Sequence, residues 1–183
     1  DAHYEGYIHI HDMDFLAMGT TTCMQIDLNK LFKNGFSTGH GHLREPNDIM
    51  SYSALAAIAI QSNQNDQHGG QAIPAFDYYL APGILKTFKK QLKDIINDYV
   101  DLEDLKDFIN MNSIEKEITK INTIEVDVEY FEKYYKNSQE LKRMFEMSLK
   151  KAIDKTDKKT YQAMEAFVHN LNTMHSRAGA QVP

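Results

Sequence analysis

His9 and His11 are the first side chains in this sequence whose type and spacing could do chemistry. Across Tyr7-Ile8-His9-Ile10-His11-Asp12-Met13-Asp14 the residues alternate, with Ile8 and Ile10 on one face and the two histidines on the other, which predicts a strand. Residues i and i+2 of a strand point the same way, so both imidazoles could reach one point in a cavity. That pair would suit two ligands of a catalytic metal on a barrel strand. It would equally suit a pocket that hydrogen-bonds a polar ligand, or a polar strand face with satisfied histidines. His40-Gly41-His42 could add to a metal site, although a glycine-rich loop also takes histidine as an ordinary turn residue.

Cys23 is the single cysteine, which excludes an intrachain disulfide and a cysteine-only metal site within these residues. It fits a reducing compartment. In an extended, apolar-flanked segment such a residue is commonly a small core side chain. Reactivity would need an activating neighbour, for instance His9 or His11 as a Cys–His pair, or a radical partner.

A run of amides, Gln61-Ser62-Asn63-Gln64-Asn65-Asp66-Gln67-His68-Gly69-Gly70-Gln71, follows a buried-looking helix. So many amides there are costly unless they pair with each other, with backbone or with a polar ligand. Gly69-Gly70 permits close backbone approach, but the spacing is not that of a P-loop or a dinucleotide fingerprint. Arg177 could hold a phosphate or carboxylate, or satisfy the last carbonyls of a helix.

The elements that must position these groups are mostly helical. Thr20 to Leu28 is rich in β-branched residues and reads as a second extended segment. Asn34 to His42 reads as an irregular loop. Asn47 or Asp48 can cap a helix to about Ser62 that is apolar all round and therefore buried. After Pro74 a helical pattern is interrupted at Pro82-Gly83 and resumes as Leu85, Phe88, Leu92, Ile95, Ile96 and Tyr99. Ile114, Ile118 and Ile121 form one stripe, with Asn112 and Glu115 spaced like a capping box. Leu141, Phe145, Leu149, Ala152 and Ile153 form another, and Tyr161, Met164, Val168, Leu171 and His175 a third. Five or six helices and two or three strands result, an α/β chain rich in helix whose strands need partners from elsewhere.

Charge divides the 183 residues. Before Ile84 the only cationic side chains besides histidine are Lys30, Lys33 and Arg44, whereas 85–160 are dense in Lys, Glu and Asp. Residues 1–85 therefore read as site-forming strands, loops and a buried helix, 86–160 as charged surface helices, and 161–183 as a helix leading into a further strand. The net charge of −6 argues against nucleic acid as the main partner. No apolar run is long enough to span a bilayer and no signal peptide is visible, which points to a cytoplasmic protein. The absence of an initial Met and the strand-like ending at Gln181-Val182-Pro183 suggest a piece of a longer protein.

Read together, five segments resemble a family. Gly6 to Asp12, Thr20-Thr21-Thr22-Cys23, Gly35 to Gly41, Gln61 to Gln71 and His175 to Pro183 look like successive blocks of the anaerobic (class III) ribonucleoside-triphosphate reductases, in that family's order. The amide–glycine block is the most specific. The resemblance covers residues 1–85 and 160–183; the helices between carry no motif of the family.

The resemblance implies the first strands and surrounding helices of a ten-stranded α/β barrel, in a homodimer that reduces ribonucleoside triphosphates by glycyl- and thiyl-radical chemistry. Cys23 falls where the family has the cysteine that donates a hydrogen atom to the substrate once water has left. His9, His11, Thr22, Asn63 and Gln64 would line the substrate pocket, and no metal would bind here. The glycyl radical, the thiyl-forming cysteine and a zinc site near the C-terminus would lie outside these residues, so this piece alone would be inactive. Formate is the expected reductant, although Met24 stands where some relatives have a second cysteine. ATP and deoxynucleotide effectors and a radical-SAM activating enzyme would be partners, with the helices from residue 47 onward, and Arg44 on charge alone, as the effector side. Two other readings compete: a metal-dependent barrel hydrolase using His9, His11 and His40, and a non-catalytic nucleotide-binding dimerisation module.

Overall fold

Short polar side chains set most helix starts in this chain. The computed structural model describes residues 1–10, 13, 23–38, 41–64, 67, 69–105 and 108–173. Helix α1 (Leu28–Asn34) is capped by Asp27, which accepts from the Lys30 N–H at 3.3 Å, and it ends at Gly35. Gly35 has φ +71°, and a Cβ there would run into the Leu43 carbonyl oxygen, so only glycine fits. The turn carries the chain through a small antiparallel pair, β2 (Phe36–Ser37) and β3 (His42–Leu43), inside the stretch predicted as irregular loop.

Helix α2 (Ile49–Gln64) starts after Asp48, as the sequence predicts. The Asp48 carboxylate accepts from the Ser51 N–H at 2.9 Å, and Ser51 Oγ accepts from the Asp48 N–H at 3.0 Å, a reciprocal cap. Burial pushes the Asp48 carboxyl up, but the hydrogen bonds from Ser51 and the charges of Lys90 and Lys159 outweigh it and hold the group below its ordinary range. A further orphan donor, the Ile49 N–H, is satisfied from another helix by Thr87 Oγ1 at 2.9 Å in the interior.

Helix α3 (Phe76–Leu102) runs unbroken through Pro82, where the sequence pattern predicts an interruption. Pro82 cannot donate to the Tyr78 carbonyl, but Tyr78, Ala81 and Pro82 are exposed, so the missing bond falls where water can serve it. Gly83 faces inward. A Cβ there would come within 2.8 Å of the Tyr52 ring, so its absence lets α2 and α3 approach closely. Tyr52 also packs edge-on against Phe32 at 4.9 Å and lies under the Lys86 ammonium at 5.3 Å. Lys86 in turn donates to Glu45 at 2.7 Å and to the Pro46 carbonyl at 3.0 Å.

Helix α4 (Met111–Lys120) is capped by Asn110, two residues before the predicted Asn112, through the Ser113 N–H at 3.2 Å. A short 3-10 turn (Val128–Phe131) and α5 (Glu132–Tyr135) follow. The last two predicted stripes belong to one helix, α6 (Gln139–Thr173), roughly 50 Å long. In its second half Met164 and Leu171 pack on the core as predicted, but the buried face is rotated away from the rest of the predicted stripe. Tyr161 and Val168 are 68% and 56% exposed, while Ala163 is buried and Phe167 packs on Phe76 at 4.8 Å.

Helices α2, α3 and α6 pack on one another, with α4 against α3 and α5 against α6. Two apolar cores result. One gathers Phe32, Ile49, Tyr52, Ala56, Leu80 and Ala163 around α2. The other gathers Phe88, Ile96, Ile114, Phe131, Phe145 and Leu149 farther along α3 and α6. The charged helices of 86–160 thus each turn one face into a core of their own. Among the described residues no helix is long and apolar enough to cross a membrane.

Candidate functional site

The end of the buried helix α2 and the lone cysteine come together through a pair of very short parallel strands. Strand β1 (Met24–Gln25) lies beside β4 (Gln71–Ala72), with Met24 opposite Gln71 and Gln25 opposite Ala72. Met24 N–H donates to the Gly70 carbonyl at 3.2 Å, and Ile26 N–H to the Ala72 carbonyl at 2.8 Å. Parallel neighbours need a long crossover, here supplied by α1, the β2–β3 pair and α2. The amide block is what lets the chain return: α2 ends within it at Gln64, and Gly69 (φ +116°) leads into β4.

Exposure alternates along the cysteine strand. Cys23 is exposed, Met24 half-buried, Gln25 exposed and Ile26 buried. With side chains of a strand alternating between faces, Cys23 and Gln25 share the outer face and Met24 and Ile26 the inner one. Among the described residues Cys23 is therefore exposed, on the outer face of β1.

Behind the strand, Asn63 Nδ2 lies 2.8 Å from Met24 Sδ, 3.0 Å from Gln71 Oε1 and 3.3 Å from Gln67 Oε1. Gln71 Nε2 donates to the Ile60 carbonyl at 3.1 Å, in the last turns of α2. Gln67 Nε2 reaches the Gly70 carbonyl at 3.4 Å, and Gln61 and Gln64 are also engaged by neighbours. Asn63, Gln67 and Gln71, costly to bury unpaired, are thus satisfied by one another, by Met24 and by backbone.

The N-terminal residues adopt turns where the alternation predicts a strand. Tyr7 and Ile8 donate their N–H groups to the Ala2 carbonyl, and Ile10 N–H donates to His3 Nδ1 at 2.9 Å. With Gly6 at φ +79° and the backbone donors consumed locally, residues 7–10 form no ladder. His9 is exposed and lies 5.5 Å from the His3 ring, centroid to centroid.

Of the predicted site residues, Cys23, Asn63 and Gln64 sit at or beside the β1–β4 junction, and His9 sits with His3. His11, Thr22, His40 and Arg177 lie outside the described residues. Among the described residues no group of three or more His, Cys, Asp or Glu could hold a metal. Sequence reasoning missed His3, Met24 and Gln71 as contact residues. Gln71 had a signal, as the far end of the amide run; Met24 and His3 had none, because their partners are set by the turns.

The whole chain, residues 1–183, matches the family model described as anaerobic ribonucleoside-triphosphate reductase. Three relatives with that same description illustrate the match. The protein of Enterobacteria phage T4 is 32% identical over 94 residues, 51% of this chain and 16% of its own length. That of Haemophilus influenzae is 31% identical over 94 residues, 51% of this chain and 13% of its own. That of Escherichia coli K12 is 27% identical over 128 residues, 69% of this chain and 18% of its own. The matched segments thus span less than a fifth of the length of these relatives.

Proposed function

This chain belongs to the anaerobic ribonucleoside-triphosphate reductase family, and from that premise we propose that it forms part of the catalytic barrel of an enzyme converting ribonucleoside triphosphates to deoxyribonucleotides. Family membership favours this oxidoreductase reading over a metal-dependent hydrolase or a non-catalytic nucleotide-binding module. The observation that carries it within the chain is the accessible Cys23 thiol on a strand backed by the amide block.

In this reading Cys23 donates its S–H hydrogen atom to the ribose carbon left after the 2′-hydroxyl departs as water. An accessible thiol on the outer face of β1 suits such a donor, since the hydrogen moves directly from sulfur to substrate. His9, His11, Thr22 and Gln64 supply hydrogen bonds to the nucleotide. Asn63 stands on the opposite face of the strand from the thiol, with its amide nitrogen engaged by Met24, Gln67 and Gln71, so it supplies no hydrogen bond to a nucleotide at Cys23. Radical chemistry opens the reaction by removing the ribose 3′ hydrogen and closes it by returning that hydrogen. In between, formate gives a hydrogen atom back to the Cys23 sulfur and an electron to the oxidised sugar, which also takes up a proton, and leaves as carbon dioxide.

The remaining parts are assigned elsewhere in the protein. One cysteine does not fit a zinc site built on several, so no step is drawn through zinc in these residues. The proposal further includes the ten-stranded barrel, a cytoplasmic homodimer, a radical-SAM activating enzyme, and ATP and deoxynucleotide effectors.

Cys23→Ala in the intact reductase tests the assignment. Deoxynucleotide formation should be abolished while the glycyl radical signal in the electron paramagnetic resonance spectrum remains. Retained turnover would remove Cys23 from the reaction.

A further inference from the structure

Asn63 occupies an unusual position between the cysteine strand and the end of α2. We propose that Asn63 is the positioning residue for Cys23, acting through Met24 and Gln71 to fix the strand on which the thiol stands. The inference rests on the reading of Cys23 as hydrogen-atom donor, and it concerns a residue on the opposite face of the strand from the thiol.

The geometry has three parts. Among the described residues β1 is two residues long, and so short a backbone pairing with β4 does not fix the cysteine by itself. Asn63 adds a side-chain tie at the same place. Its two N–H hydrogens are shared among Met24 Sδ at 2.8 Å, Gln71 Oε1 at 3.0 Å and Gln67 Oε1 at 3.3 Å. Met24 and Gln71 face each other across the ladder, so a single amide grips both strands at the register pair next to Cys23.

The tie is then anchored to something rigid. Asn63 lies in the last turn of α2, and Gln71 Nε2 donates to the Ile60 carbonyl of the same helix at 3.1 Å. The register of the cysteine strand is thereby coupled to a buried helix through two amides. Removing the donor would leave β1 free to shift by a fraction of an ångström. A displacement of about 1 Å at a reacting group can cost about a hundredfold in rate.

The test uses the intact reductase with Asn63→Asp, which keeps the size and the carbonyl acceptor but loses both N–H donors. A second variant, Met24→Leu, removes the sulfur acceptor alone while preserving apolar bulk. Both should lower kcat at least tenfold with KM for the nucleotide and the glycyl radical yield unchanged. Hydrogen exchange of the Met24 and Ile26 amides, which donate to the Gly70 and Ala72 carbonyls, should accelerate in both as the strand loosens. Asn63→His, which can still donate, should recover part of kcat. Unchanged kcat and unchanged Met24 and Ile26 amide exchange in Asn63→Asp would overturn the proposal, and a rise in KM alone would assign Asn63 to substrate binding instead. These outcomes are separate from the failure of the reading beneath it, which shows as turnover retained in Cys23→Ala.

Discussion

Around α2, buried and half-buried polar side chains tie one backbone segment to another; along α4, α5 and the first half of α6, most polar ties lie at the surface. There they are ion pairs, or bonds such as Lys89 to the Thr119 carbonyl and Tyr130 to the Glu117 carbonyl. Thr87 reaches across to the Ile49 N–H, and Asn63 and Gln71 join α2 to the cysteine strand. In the other region Lys93 meets Glu115 at 2.8 Å, and Glu117 takes both Lys133 at 2.7 Å and Lys120 at 3.0 Å. The interior beneath those pairs is made of large apolar side chains, with the Phe131 and Phe145 rings stacked at 5.0 Å. One region places hydrogen bonds between segments in its interior; the other fills its interior with apolar side chains and keeps most of its polar ties at the surface. A region built in the first way can place a reactive thiol, because its segments are fixed individually.

The difference can be broken from the apolar side first. Phe131→Ala should cost about 3–5 kcal/mol, since the side chain is fully buried and its stacking partner cannot follow it. Urea unfolding of the purified protein measures this, and a loss below about 1 kcal/mol would show that the second core collapses around the gap. Thr87→Val probes the tying bonds next. It leaves the buried Ile49 N–H without its acceptor and should cost about 1–3 kcal/mol. Thr119→Val supplies the contrast: the Thr119 hydroxyl bonds the Glu115 carbonyl of its own helix at an exposed position, and stability should stay within about 0.5 kcal/mol.

A smaller effect separates the cap from its charge. Asp48→Ala should cost about 1 kcal/mol, and Asp48→Asn much less at neutral pH, since asparagine caps nearly as well. Because the folded Asp48 carboxyl titrates below its ordinary value, its contribution is complete above about pH 4 and is lost as pH falls through the depressed value. Thermal melts between pH 6 and pH 2.5 should therefore bring the wild type and Asp48→Asn closer together with acidification. Parallel curves would mean that the carboxyl is not held low. Least of all should follow from Glu117→Gln. Its two lysines hold the carboxyl low, yet the cluster is at the surface and screened, so melting in physiological salt should be unchanged within error.

Several elements were legible before any coordinates. The cap at Asp48 and the burial of α2 follow from a short polar residue ahead of an apolar run. The Ile114 and Ile118 stripe of α4 follows from period alone. The amide block was marked by its composition, and the pairing of Asn63, Gln67 and Gln71 within it is what burial demands. Other elements were misread for local physical reasons. Alternation across Tyr7 to Ile10 looks like a strand, but it holds no ladder once the N–H groups are consumed by Ala2 and His3. Pro82 looks like a break, but its lost bond lies on an exposed turn of a helix held by packing on its other face. The face that α6 buries in its second half shifted because Ala163 and Phe167, rather than Tyr161 and Val168, meet α2 and Phe76.

The sequence by itself determined the family, the helix-rich character and which residues carry chemistry, because those depend on residue type and order along the chain. Only the tertiary structure decided which face of its strand Cys23 occupies and what stands behind it. Met24 and Gln71 are 47 positions apart, and no local pattern says that they pair. That register is set when α2 packs and the glycine turn returns the chain, and the place of the thiol follows from it.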